Sequence, residues 1–258
     1  MSMCAENISL HRSGFDLLRH VSMTVEAGKV TAIVGPNGAG KSSLLRVLTG
    51  EMQASKGRVL LNGRTLSQWP IIERAQLLAV LPQHTTLNFP FTANEVVGLG
   101  RIPHQTGSAT DAEIVAQALK LVDAQYLQKR FYTQMSGGEK QRVQLARVLA
   151  QIWQPCPGEE QFLVLDEPTS AFDLAHQKLT LDIVRQLAAR GVGVVMVLHD
   201  LNLAARCADN LVVFDGGLIA AQGSPEEILT EQLIQQVFGV KAIIDRHPTT
   251  HKPLVITE

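Results

Sequence analysis

The sequence predicts an α/β fold on three observations. Short apolar runs alternate with helix-like stretches from Val30 to Val213, the pattern of a sheet with helices packed on its faces. Five of those runs, Val30–Val34, Leu78–Leu81, 162–165, 194–198 and 211–214, are rich in Val, Leu and Ile, as strands buried on both faces are. Between Thr92 and Ala150 the apolar residues recur at helical spacing, as Ile114, Ala118, Leu119 and Val122 do, which predicts an inserted helical subdomain.

The remaining elements follow from turn and cap chemistry. The run 58–61 ends at Asn62-Gly63 and the run 211–214 at Asp215-Gly216-Gly217, so each predicts a hairpin, and antiparallel strands flank the main sheet. Pro155, Pro157 and Gly158 break the chain before the run at 162. Ser224-Pro225-Glu226-Glu227 has the composition of an N-cap opening a final helical segment. Beyond Gly239 the pattern is weak.

Composition narrows the function. With 258 residues, 45% hydrophobic and 18% charged, the chain is an ordinary globular one, large enough for one domain carrying a subdomain. A formal net charge of -1 leaves no broad basic field, so nucleic acid is not expected as a partner. Cys4, Cys156 and Cys207 have no C-x-x-C spacing, which argues against a zinc site or redox pair and suits a reducing compartment. The longest strongly apolar stretch, 192–198, is far short of a membrane span, and Glu6 interrupts the opening residues, unlike a secretory signal.

The chemistry is concentrated in a few segments. Gly35-Pro36-Asn37-Gly38-Ala39-Gly40-Lys41-Ser42 fits G-x-x-x-x-G-K-[ST] directly after an apolar strand, which predicts a P-loop NTPase core. Glycines let the backbone wrap closely around phosphates, and its N–H groups and the following helix N-terminus attract anions. Lys41 reaches the β and γ phosphates, Ser42 ligates magnesium, and Ser43 belongs to the same nucleotide-binding segment. A Gly-rich turn with a chance lysine is the bland alternative, and strand, loop and helix in the right order make it a poor one.

Phe162-Leu163-Val164-Leu165-Asp166-Glu167 reads as a buried strand delivering two carboxylates at its C-terminal end, where such sheets place ligands. Asp166 is expected to hold Mg2+, and Glu167 to polarise the attacking water as general base. Met135-Ser136-Gly137-Gly138-Glu139 then opens a helix. Ser136 and Glu139 have capping-box spacing, which leaves Gly137 and Gly138 unexplained unless a phosphate approaches the positive helix end.

That segment resembles the signature motif of ATP-binding cassette (ABC) proteins, and the resemblance covers nearly the whole chain. It implies an ABC ATPase core with an antiparallel β subdomain and an inserted α-helical subdomain. On it, residues 1–91 are the first part of the nucleotide-binding core, 92–158 the helical subdomain with the signature motif, 159–223 the second part, and 224–258 a C-terminal helical segment and tail. Gln83 resembles the family's Q-loop glutamine, a Mg2+ and partner sensor, His199 its switch histidine at the γ phosphate, and Ser170-Ala171-Phe172-Asp173 its D-loop. Met135, Glu139 and Phe172 depart from the common Leu, Gln and Leu. Where the family often stacks an aromatic residue on adenine, His11, Arg12 and Phe15 stand here, and Arg12 aligns best, with a guanidinium that can stack on a ring.

The resemblance further implies a homodimer in which Ser136, Gly137, Gly138 and Glu139 of one protomer meet the ATP on the other's P-loop. It implies two transmembrane permease subunits contacting the region of Phe91, Thr92 and Glu95, and a place on the cytoplasmic face of the inner membrane. Within the family, Leu81-Pro82-Gln83-His84, Arg101-Ile102-Pro103-His104 and Leu198-His199-Asp200-Leu201-Asn202 look most like bacterial haem-import ATPases, served indirectly by a haem-binding protein. Siderophore or cobalamin import and a permease-free cassette ATPase stay open. His84, His104, His176 and His247 are read as surface or partner-facing residues rather than haem ligands.

Overall fold

The computed structural model describes residues 1–83 and 87–257; the expectation for His84 lies outside them. The chain begins with a long hairpin, β1 (Ser2–Arg12) and β2 (Phe15–Glu26), joined through Ser13 and Gly14, whose φ values of 52° and 84° are those of a tight hairpin turn. Met3, Ala5, Ile8 and Leu10 on β1 and Leu18, Val21, Met23 and Val25 on β2 are buried. The one-face periodicity slips at bulges near Asn7 and His20. After β3 (Val30–Val34) and α1 (Lys41–Leu48), β4 (Lys56–Leu61) pairs with β1 and turns at Asn62-Gly63 into β5 (Arg64–Thr65), as expected. These strands form an antiparallel sheet in the order β2-β1-β4-β5.

The main sheet adds β6 (Leu78–Leu81), reached through α2 (Ile71–Leu77), then β7 (Phe162–Asp166), β8 (Gly193–Val197), β9 (Asn210–Asp215) and β10 (Leu218–Gly223). Its order is β10-β9-β3-β8-β7-β6, all parallel except the β9–β10 hairpin at one edge. Both faces are covered. Ile33, Phe162, Val164, Val195, Val197, Val212 and Phe214 pack with Leu44 and Leu48 of α1 and the inner face of the antiparallel sheet. Ala32, Val34, Leu163, Leu165, Val194, Met196 and Val213 belong to a second core with the helices. Each fully buried side chain of this size contributes about 1.5–3 kcal/mol, which is why these strands read as unbroken apolar runs. The strand expected at 194–198 starts one residue earlier, because a Cβ on Gly193 would stand 2.6 Å from the Phe162 ring and only glycine lets the chains pair there.

Between β6 and β7 lies the helical unit: α3 (Ala93–Gly98), α4 (Ser108–Leu121) and α5 (Gly137–Gln151). Capping boxes start two of them, Thr92 with Glu95 on α3 and Ser136 with Glu139 on α5. Buried Arg101 ties the unit together, donating from Nε to Asp111 Oδ1 at 2.8 Å and from Nη1 to the Ala150 carbonyl at 2.7 Å. His104 Nε2 lies 2.7 Å from the Gln151 carbonyl. That expected surface histidine is an internal brace, and burial first of all lowers its pKa.

The chain closes with α6 (Leu174–Ala189), α7 (Leu201–Cys207), α8 (Pro225–Ile228) and α9 (Glu231–Phe238), then a hairpin of β11 (Ala242–Arg246) and β12 (Pro253–Thr257). The helical opening at Ser224 matches the sequence reading, whereas the hairpin beyond Gly239 is new. Asn202 on α7 fastens it as a strand would: its Nδ2 donates to the Val255 carbonyl at 3.0 Å and its Oδ1 accepts from the Val255 N–H at 2.7 Å. Asn202→Ala is expected to cost about 2 kcal/mol and lower Tm by roughly 4–8 °C in a thermal melt. Among the described residues no helix is long and apolar enough to cross a membrane.

Candidate functional site

The P-loop runs from the end of β3 into α1, so the strand is the fixed wall against which the loop turns. A Cβ on Gly40 would stand 2.7 Å from the Leu17 carbonyl, and φ is 104° there, so the loop packs backbone to backbone on β2. Lys41 is 6% exposed and donates from Nζ to the carbonyls of Gly35 at 2.7 Å and Pro36 at 2.8 Å. Burial lowers the Lys41 pKa, and the carboxylates of Glu167 and Asp166 oppose that shift. The ammonium is thus held in the loop by neutral carbonyls that a phosphate would outbid.

Asn37, Gly38, Ala39, Gly40, Lys41, Ser42 and Ser43 line a cavity of about 280 Å³ together with Leu17, Glu167 and His199. Gly35 and Pro36 stand behind it as the acceptors for Lys41. Glu167 follows β7 with φ of 52°, a left-handed conformation costing about 1–3 kcal/mol for such a residue. Its backbone is locked there: the N–H donates to the Val197 carbonyl at 3.2 Å, and the carbonyl accepts from Gln141 Nε2 and Ser170 Oγ, each at 3.2 Å. The strain turns the carboxylate into the cavity, where Oε1 is 2.5 Å from His199 Nε2. His199 follows β8, and Asp200 behind it caps α7 by accepting from the N–H groups of Asn202 and Leu203. The P-loop, Glu167 and His199, which lie far apart along the chain, therefore meet in one space.

Ser42 also borders an adjoining cavity of about 310 Å³ with Asp166, Gln83, Arg46 and Glu51. The Ser42 hydroxyl donates to Asp166 Oδ1 at 3.4 Å. Burial raises the Asp166 pKa; the Ser42 hydrogen bond works against this, and the neighbouring Glu167 charge adds to it. A part-buried carboxylate beside a second one, with a hydroxyl and an amide oxygen at hand, is an all-oxygen donor set suited to a hard divalent cation. Among the described residues no three His, Cys, Asp or Glu side chains cluster as a protein-only metal cage, so a cation here would draw further oxygens from water and phosphate.

Ser136 starts α5, where its hydroxyl accepts from the Glu139 N–H at 3.3 Å and Glu139 Oε2 accepts from the Ser136 N–H at 2.8 Å. The backbone hydrogen bond from Ser136 comes first in lowering the Glu139 pKa. Gly137 borders a third cavity with Gln83, Lys140, Gln141, Ser170 and Ala171, and none of Ser136–Glu139 borders the cavity of Lys41. Arg12 is exposed at the far end of β1, with Nη1 3.9 Å from Met52 Sδ, and does not border the P-loop cavity. The adenine assignment to Arg12 thus gains no support from the geometry. Leu17 holds the position on β2 beside the loop, and no sequence motif points to it. Arg12→Ala is accordingly expected to leave ATP affinity within about twofold in an equilibrium binding titration, less than the loss of one stacked contact would cause.

Residues 18–170 match the family model described as ABC transporter. The hemin import ATP-binding protein HmuV of Pseudomonas fluorescens is 49% identical over 253 residues, covering 98% of both chains. The inward-facing structure of a metal-chelate type ABC transporter superposes with a TM-score of 0.80 at 24% identity, over 100% of this chain and 97% of that one. The dimeric structure of a bacterial ABC transporter cassette gives a TM-score of 0.76 at 22% identity, over 86% of this chain and 98% of that one. At these identities the two structures speak for the fold.

Proposed function

Because the chain belongs to the ABC transporter family, as one of its ATP-hydrolysing subunits, we propose that it powers haem import across the cytoplasmic membrane. What carries the cargo is the 49% identity over 98% of both chains to a hemin import ATP-binding protein. What carries the chemistry is the cavity in which Lys41, Ser42, Glu167 and His199 converge.

In this reading the triphosphate displaces the Gly35 and Pro36 carbonyls from Lys41, whose ammonium then neutralises the β and γ phosphates. Ser42, Asp166 and Gln83 would hold Mg2+, which would supply charge neutralisation on the phosphate oxygens. Glu167 takes the proton of the attacking water, and His199, whose Nε2 stands 2.5 Å from its Oε1, orients that carboxylate and reaches the γ phosphate. Ser136, Gly137, Gly138 and Glu139 lie away from the chain's own Lys41 and serve the nucleotide of a second protomer, so the working unit is a C2 homodimer. Two permease subunits seat the dimer on the cytoplasmic face of the membrane near Phe91, Thr92 and Glu95, and a haem-binding protein delivers cargo to them. Ser42→Ala is expected to raise the Mg2+ concentration for half-maximal hydrolysis about tenfold or more, and chelation with EDTA to stop hydrolysis altogether, both read in a phosphate-release assay.

The cargo is tested by growth of a deletion strain on haem as sole iron source, complemented with the wild-type chain or with Glu167→Gln. Rescue by the wild type alone is expected. Growth on haem that ignores the chain, with dependence on ferric siderophore or cobalamin instead, overturns haem and keeps the motor; no dependence on any of the three favours a cassette without a permease.

A further inference from the structure

Helix α5 carries the Ser136 segment, and its second turn is bound to the loop 170–173 by a side-chain cluster with no role in the chemistry described so far. Arg142 is 8% exposed. Its Nη1 lies 2.8 Å from His176 Nε2 and its Nη2 donates to the Tyr126 hydroxyl at 2.6 Å, while its Nε is buried with no partner among the described residues. His176 Nδ1 lies 2.8 Å from Asp173 Oδ1, which also caps α6 by accepting from the His176 N–H at 2.9 Å. The imidazole ring stands 6.0 Å from that of buried Phe172. Asp123 is the other charge nearby, its Oδ2 4.0 Å from His176 Nε2, beyond hydrogen-bond reach.

These partners dictate the proton. A guanidinium only donates, so His176 Nε2 must offer its lone pair to Arg142, and the ring hydrogen sits on Nδ1, aimed at Asp173. The neutral ring thus bridges a donor on α5 to an acceptor at the start of α6, and neither arginine nor carboxylate could take its place. Two further contacts tie α5 to the segment between β7 and α6: Gln141 Nε2 on the Glu167 carbonyl at 3.2 Å, and Gly138, where a Cβ would stand 3.3 Å from the Ala171 carbonyl. With Arg142 Nε already unmet, loss of the imidazole would leave a second buried guanidinium nitrogen unpaired, and the helix would have to shift to hydrate it.

We propose that His176 is a positioning residue for ATP hydrolysis: by accepting from Arg142 and donating to Asp173, it holds the Ser136–Glu139 segment in register with the loop 170–173. The inference rests on the ATPase reading above, because only there does the Ser136–Glu139 segment serve a partner's nucleotide. A small displacement of such groups is enough to cost one to two orders of magnitude in rate.

The test uses the chain assembled with its permease. His176→Phe keeps the ring and its contact with Phe172 but has no acceptor, and is expected to lower kcat about tenfold and raise KM for ATP several-fold. ATP affinity of the isolated chain, set by its own P-loop, is expected to stay within about twofold. His176→Gln returns an acceptor to Arg142 and is expected to bring kcat within about threefold of wild type. Wild-type kcat in His176→Phe overturns the inference, as does failure of His176→Gln to recover any rate while both variants melt as wild type does. Should His176→Phe not fold, Tyr126→Phe removes one acceptor from the same guanidinium; a kcat about threefold lower at unchanged Tm supports the inference and an unchanged kcat overturns it. A wild-type chain that hydrolyses no ATP would overturn the reading beneath it instead.

Discussion

Glu167→Gln lowers kcat by about 100- to 10,000-fold and leaves ATP binding intact: this is the expected result of removing the base and nothing else. The substitution is nearly isosteric, and the backbone that aims the side chain is held by Val197, Gln141 and Ser170 rather than by the carboxylate. The carboxamide therefore occupies the same space beside His199, where it can hydrogen-bond but cannot accept a proton from water. With hydrolysis blocked, ATP-bound dimers accumulate, so size-exclusion chromatography with ATP and Mg2+ should show a dimer that wild type forms only transiently. A rate within about threefold of wild type would remove Glu167 from the role of base and leave His199 as the remaining candidate in the cavity.

Gly35→Ala should be among the most damaging single methyl additions to the described chain. The added Cβ would stand 2.2 Å from the carbonyl oxygen of Phe214, 3.1 Å from its carbonyl carbon and 3.2 Å from its Cβ, and φ at Gly35 is 150°. Phe214 is fully buried in β9, so neither backbone can yield without parting the P-loop strand from its neighbour. A loss of about 4 kcal/mol or more follows, lowering Tm by roughly 8 °C or more. Gly38→Ala is the control: its φ is 78°, but no atom lies within 4 Å, so only backbone strain of about 1–2 kcal/mol applies. Thermal melts of the two should differ clearly; equal melts would mean that the loop gives way at Gly35 as easily as at Gly38.

The parallel strands could be read from sequence because burial on both faces leaves no choice of residue, and Val30–Val34 and Leu78–Leu81 have the bounds expected of them. The Asn62-Gly63 turn was visible because its positive φ values demand those residues. The first hairpin hid for the opposite reason. Bulges at Asn7 and His20 shift its alternation, and its tip, Ser13-Gly14, follows the polar pair His11-Arg12, so nothing marks the two strands as a pair. The terminal hairpin has only one buried face, and its fastening comes from Asn202, some fifty residues away. At the site, residues held by local motifs could be named outright, whereas Leu17 and the Arg142–His176–Asp173 bridge depend on which segments meet. Arg12 was placed by alignment with a family habit, and it does not border the cavity of the P-loop.

The insertion of the helical unit between β6 and β7 has a consequence for how the protein is made. Those two strands are partners in the sheet, Leu78 facing Phe162 and Leu81 facing Leu165, although roughly eighty residues lie between them. Their ladder cannot close until the whole of that stretch has left the ribosome, and β8, which bridges β3 to β7, emerges later still. The growing chain therefore exposes β3 and β6 as unpaired apolar edges for several seconds at ordinary synthesis rates, and the unfinished parallel sheet is a natural client for chaperones.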